Sequence, residues 1–394
     1  MLPSLCRLPV GVGPGGAPPP PAPPPYKRDR AGVPLPNQVV SLSLRSPDEV
    51  GNQEFYRADL TEISIPDSVT SIGEGAFRGC TSLVAVTIPD SVTTIGLRAF
   101  EGCTSLEVVT IGKSVTAIGI YAFLRCSRLA NITIPDLVTT IGGYTFYGCS
   151  SLADVTIGNS VATIGNDTFH GCGKLAAVTI GNSVTTIGEH AFRGCSSLAA
   201  VTIPDSVTSI GISAFHHCTS LAAVTIPDSV TTIGEHAFLG CFSLAAVTIG
   251  NSVTAIGFYT FSSCGKLAAV TIGNSVTTIG YGAFYGCKKL AAAAIPYSVT
   301  TIDDRAFGGC KKLAAVAIPY PVTTIGAPFD VLYTKVVRRS KAAYRWLRLK
   351  FRVRVVGRLS LMRAASAERL YCPGGGGALA AELNFYKVIA GGNG

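Results

Sequence analysis

LAAVTIPDSVTTIGEHAFLGCFS, residues 221–243, is one of many near-copies of itself in this chain. Leu221, Val224, Ile226, Val230, Ile233, Ala237, Phe238 and Cys241 set its apolar columns. The same columns return 23 residues earlier and later: cysteines at 80, 103, 126, 149, 172, 195, 218, 241, 264, 287 and 310, and phenylalanines from Phe77 to Phe307, three residues ahead of each cysteine. Strict repetition at 20–50 residues is the signature of a solenoid. One 23-residue unit cannot enclose a core, whereas stacked units bury their apolar columns against the next rung.

Within the unit, Val224 and Ile226 alternate with Thr225, the period of a half-buried strand, and Val, Ile and Thr favour that state. Pro227 ends this strand, and Asp228 and Ser229 supply turn chemistry. Val230 to Ile233 is a second extended piece, Gly234 turns the chain, and Ala237 to Cys241 is expected to form a single helical or 3₁₀ turn. The fold class is therefore a β-rich solenoid with short strands in each unit. Twelve Leu-started units from Leu60 to Leu313 would stack to about 55 Å at a strand spacing of about 4.8 Å.

These units resemble the BspA-like leucine-rich repeats, over about residues 60–326. The resemblance rests on the I-P-x-x-V-x-x-I-G-x-x-A-F-x-x-C core. It implies a leucine-rich-repeat superhelix and, in function, adhesion or partner binding, since many such proteins sit on cell surfaces; it carries over no catalytic residue. The chain departs from the pattern at Asp303 in the Gly column, at Thr145, Thr168 and Thr260 in the Ala column, and at Ala294 and Ala317 in the strand Thr column.

Outside the repeats, residues 1–36 read as a Pro/Gly-rich tether without a packed element. Residues 37–59 read as a decayed first repeat, because Val40 keeps the 23-residue step to Ile63 while Phe55 misses the Phe77 register by one. Phe329 misses the Phe307 register in the same way. Residues 331–371 form a basic cap or attachment segment, and 372–394 a Gly-rich tail. The N-terminus lacks the charged-then-apolar pattern of a secretory signal, and no apolar run reaches the roughly 18 residues of a membrane span. The compartment is open, with the surface or secretion favoured only through the resemblance.

The net charge of +9 is uneven: residues 1–59 carry 6 basic and 5 acidic side chains, residues 60–330 carry 13 and 16, and residues 331–394 carry 13 and 2. Basicity thus points to nucleic acid or an anionic membrane only for the tail. There, Arg345, Trp346, Arg348, Lys350, Arg352 and Arg354 alternate with Leu349, Phe351, Val353 and Val355. Two readings stand side by side: a strand that blunts the last rung with charge, and a basic segment with interfacial aromatics that attaches the solenoid to an anionic surface.

No catalytic motif is present: no G-x-S-x-G, no P-loop and no C-x-x-C. The chain is expected to be non-enzymatic, without cofactor, metal or small-molecule substrate. The repeat cysteines read as buried free thiols, with Cys6 and Cys372 outside the column. His190 and His236 share a column two rungs, about 10 Å, apart, as do His170 and His216, which is too far for one metal ion.

Two surfaces are left for a protein or glycan ligand. The strand face repeats Thr87, Thr110, Thr133, Thr156, Thr179, Thr202, Thr225, Thr248 and Thr271 beside alanines, a monotonous array suited at most to a repetitive ligand. The turn edge collects Tyr121, Tyr144 and Tyr259 in one column, Tyr147 and Tyr285 in another, and Phe258 and Tyr281 close by. Rigid aromatics with basic neighbours are the usual material of binding hot spots, so these seven are the candidate partner-binding residues.

Overall fold

The computed structural model describes residues 40–41, 47–327 and 335–338. The first 39 residues, the basic segment with Arg345 to Arg354, Phe329, Cys6 and Cys372 lie outside the described residues. The described residues all fall within one compact unit that starts at Val39.

Most rungs contribute two short strands, which pair in parallel with their counterparts in neighbouring rungs; in the rungs of Ala200 and Ala294 an isolated bridge stands in place of the first strand. Val155 faces Ile132 on one side and Val178 on the other, and Val247 faces Val224 and Val270, all at the 23-residue step. The second strand is a dipeptide such as Thr232–Ile233, paired the same way. Along Ala223–Ile226 exposed and buried residues alternate, which places Val224 and Ile226 inside and Thr225 outside.

Between the strand columns the chain makes consecutive turns, and the expected helical or 3₁₀ turn is absent: no helix occurs among the described residues. The reason is backbone geometry. In the rung of Phe238, His236 and Gly240 both adopt positive φ, 58° and 74°. A left-handed residue at every fourth position stops a helix from propagating. Alternate amides divide the work: Ala237, Leu239 and Cys241 close local turns onto Gly234, His236 and Phe238, while His236, Phe238 and Gly240 donate to Phe258, Thr260 and Ser262 of the next rung. A helix would use all of these donors internally and leave the rungs unlinked.

The core is a set of columns. Eleven consecutive phenylalanine pairs from Phe55 to Phe307 stack with ring centroids 5.1–5.5 Å apart and planes within 13° of parallel. That spacing lies inside the favourable range for offset rings. Phe55, out of register in sequence, is in register in space. Val40 pairs with Ile63 at 23 residues but Val50 with Ile72 at 22, so the missing residue is taken up between Ser41 and Glu49. At the other end Lys335–Arg338 pairs in parallel with Ala315–Ile318.

All eleven repeat cysteines are buried and free. Each thiol donates to the phenylalanine carbonyl of the preceding rung, as Cys241 does to Phe215 at 3.2 Å. Burial pushes the Cys149 and Cys241 thiols up to about 12, so they are protonated at neutral pH. Thr145 and Thr168, in the alanine column, keep their buried hydroxyls satisfied by donating to the Gly142 and Gly165 carbonyls.

Candidate binding edge

The first left-handed position of each rung is where the turn edge is built. Two such positions recur from Gly75 to Gly309. The second is glycine in eight of eleven rungs, as expected for positive φ; the first is glycine only at Gly75 and Gly282. The others are Arg98, Tyr121, Tyr144, Asp167, His190, Ser213, His236, Tyr259 and Arg305. A non-glycine residue held there costs about 1–2 kcal/mol. The same turn is made with glycine in the neighbouring position, so folding alone does not ask for aromatic side chains here.

These residues and their neighbours form two aromatic clusters. In the first, the Arg98 guanidinium lies 5.2 Å from the Tyr121 ring centroid. Tyr121 packs on Tyr144 at 5.1 Å, Tyr144 on Tyr147 at 5.9 Å, and Tyr147 meets the His170 ring edge-on at 4.7 Å. Asp167, buried and itself left-handed, faces three of these groups. His170 Nδ1 lies 2.7 Å from its Oδ1 and His190 Nδ1 3.6 Å from its Oδ2. Burial, followed by the charge and hydrogen bond of Asp167, raises the Tyr144 hydroxyl above its ordinary value.

The second cluster lies further along the same edge. His236 contacts Phe258 at 5.3 Å and Tyr259 at 5.8 Å; Phe258 stacks on Tyr281 at 5.3 Å; Tyr259 meets Tyr281 at 5.4 Å and Tyr285 at 6.3 Å, both edge-on. Phe258 and Tyr285 are exposed, the other tyrosines half-buried. The seven aromatic residues singled out in the sequence thus divide three and four. Asp167 was missed, because its role appears only when adjacent rungs bring His170 and His190 to one carboxylate. Its place in the Tyr144 column was the available signal.

Between the clusters lie His216 and His217, 4.2 Å apart. Burial first, then His217, Arg193, His236 and His190, lowers His216 to about 4. Since the unfolded side chain titrates near 6.5, the unfolded state takes up a proton that the folded state refuses. Stability is therefore expected to fall from pH 6.5 to about 4 and to gain no further penalty from this group below that. Urea midpoints at pH 7.5 and 5.0 for the wild type and His216→Gln test this: the wild type should lose more, and equal losses would refute it.

No group of three His, Cys, Asp or Glu side chains suited to a metal ion occurs among the described residues. On the strand side an open groove of about 710 Å³ runs beside Thr225, Thr248 and Thr271, floored by Pro227, Gly250 and Gly273 and rimmed by Asp228, Asn251 and Asn274. The strand threonines are exposed as their register requires.

The BspA type leucine rich repeat region matches the chain over residues 48–176, 118–245, 162–291 and 231–329, with six copies. Among solved structures, a leucine-rich repeat protein from Bacteroides ovatus ATCC 8483 is similar at 29% identity, over 74% of this chain and 88% of that one, with a TM-score of 0.59. A leucine rich cell surface protein from Faecalibacterium prausnitzii A2-165 aligns at 32% identity over 73% and 90% of the two chains, with a TM-score of 0.46. No curated protein matches the chain.

Proposed function

The chain belongs to the BspA-type leucine-rich repeat family, and from that premise we propose that it is a non-enzymatic scaffold that binds a protein or glycan ligand at a cell surface through its aromatic turn edge. One observation carries this reading: tyrosine, histidine and arginine occupy left-handed backbone positions where glycine would be less strained. Retained strain of about 1–2 kcal/mol per residue calls for a benefit outside folding. Rigid rings at the rung spacing supply large contact area with little rotamer entropy to lose on binding. The edge is an open surface, and the groove on the strand side is lined by hydroxyl, amide, carboxylate and apolar groups without histidine or cysteine. Such surfaces bind; they do not assemble a nucleophile with a base.

A photocrosslinking amino acid placed at Tyr144 and at Tyr281, with Thr202 and Thr248 on the strand face as controls, tests the assignment on intact cells that make the protein. The same adduct is expected from both edge positions and from neither control. Adducts confined to the threonine face, or equal yields from both faces, would assign the binding surface elsewhere. A membrane-impermeant amine label should also reach the protein on intact cells; failure to label it would remove the surface role.

A further inference from the structure

The repeat region is electrically polar along its length. Residues 60–235 carry 7 basic and 13 acidic side chains, and residues 236–327 carry 6 and 2. From His236 to Ile302 there is no carboxylate side chain at all. Within this stretch and the rung after it, the two positions following each repeat cysteine change character. Earlier rungs mostly place hydroxyl pairs there, at Thr81-Ser82, Thr104-Ser105, Ser150-Ser151, Ser196-Ser197 and Thr219-Ser220, with single basic residues only in Ser127-Arg128 and Gly173-Lys174. Several of those hydroxyls donate to the preceding rung, as Thr219 Oγ1 does to Ser196 O at 3.1 Å. The last three rungs carry Gly265-Lys266, Lys288-Lys289 and Lys311-Lys312, so that only here do basic residues follow the cysteine in consecutive rungs and in pairs.

All five lysines are exposed. Among the described residues Arg78, Arg98 and Arg128 enter ion pairs, and none of these lysines does. The 23-residue register stacks Lys266, Lys289 and Lys312 in one file and Lys288 and Lys311 in the next, at about 4.8 Å per rung. Like charges at that interval repel, and the hydroxyl pair they replace does not, so the folded state gains nothing from them.

The file of Lys288 begins with Phe242, 49% exposed, and then Gly265, around whose missing side chain there is nothing within 4 Å. Gly265 has no positive φ that would require glycine. An exposed aromatic face, a notch one rung long and then a double file of ammonium groups follow one another along the ridge. A linear chain of flat-faced, anionic rings fits that order: one ring packs on Phe242 over Gly265, and the groups beyond it reach successive lysines. A nucleic acid strand would need a stacking platform for each base, and the lysine rungs of the ridge offer none. We propose that this ridge, separate from the aromatic edge, binds a linear sulfated or carboxylated polysaccharide.

Heparin is the probe, and the full chain with Arg345, Arg348, Lys350, Arg352 and Arg354 changed to Gln is the background, so that the basic tail does not mask the ridge. That chain is expected to bind immobilised heparin. Adding Lys266→Ser, Lys288→Thr, Lys289→Ser, Lys311→Thr and Lys312→Ser, the residues that most earlier rungs use, should weaken binding about 100-fold, at roughly fivefold per lysine with about three of the five engaged at once. The slope of log affinity against log salt should become shallower by about 3, and the thermal unfolding midpoint should not fall. Phe242→Ser should weaken heparin binding about fivefold. Loss of all binding in the background chain, or unaltered binding after the lysine substitutions, would overturn the proposal. Tighter, lysine-dependent binding of oligo-dT than of heparin would overturn it in favour of nucleic acid.

Discussion

Phe192→Ala should destabilise the solenoid by about 3–5 kcal/mol, the range for emptying a fully buried aromatic site. Phe192 is 0% exposed and lies between Phe169 at 5.3 Å and Phe215 at 5.2 Å, with near-parallel planes on both sides. Truncation removes two ring contacts at once, and the flanking rungs cannot close the gap because Thr186–Ile187 of the same rung stays paired to Thr163–Ile164 on one side and to Ser209–Ile210 on the other. Among the described residues Phe55 stacks on one ring, that of Phe77, so Phe55→Ala should lose less, about half as much. Because each rung touches only its neighbours, a weak central rung also uncouples the two halves. Urea unfolding followed by circular dichroism should then show a broadened or two-step transition for Phe192→Ala, against a single shifted step for Phe55→Ala. Equal losses at the two sites would mean that the stack is not what couples the rungs.

Two glycine substitutions, identical in chemistry, should differ by several kcal/mol. A Cβ at Gly181 would run into the carbonyl oxygen of Gly158 and lie within 3.0 Å of Asn159 Cα, all backbone atoms that cannot rotate away. Gly181 sits at a corner that approaches the preceding rung closely, and there the Asn182 amide donates to Asn159 Oδ1 at 3.2 Å. Relief requires the rungs to part, which breaks that bond and strains the adjacent strand pairing of Val155 with Val178. The expected loss for Gly181→Ala is about 3 kcal/mol or more, the upper end for overpacking. Gly265→Ala, which meets nothing within 4 Å, should change stability by less than about 0.5 kcal/mol. Thermal unfolding of the two variants side by side decides it; matching midpoints would show that the corners tolerate a wider spacing.

The contrast between these glycines shows where sequence reading stops. Both fall in positions that vary from rung to rung, and nothing local separates them. Proximity of the preceding rung's carbonyl separates them, and that is a tertiary quantity. The turn segment behaves likewise. Ala237 to Cys241 has acceptable helical composition, yet His236 and Gly240 are left-handed because alternate amides are drawn to Phe258, Thr260 and Ser262 of the next rung. The competing hydrogen bonds are supplied by residues more than 20 positions away, so single-unit propensities could not reveal them. The slip at Phe55 has the same origin: one residue fewer between Ser41 and Glu49 is absorbed locally, and the ring stack holds.

By itself, the sequence determined the repeat, the direction in which every apolar column faces, the free and buried state of the cysteines, and the solenoid. A 23-residue period with alternating Val-Thr-Ile has only one way to bury its apolar atoms, and that constraint acts at every rung. Only the tertiary structure decided which turn residues are strained, that Asp167 gathers His170 and His190, and that Phe242 and the five lysines are exposed around an open space at Gly265. Those features arise between rungs, from distances of a few ångströms across backbones that are 23 residues apart in the chain, and a period states which residues align without stating how closely they meet.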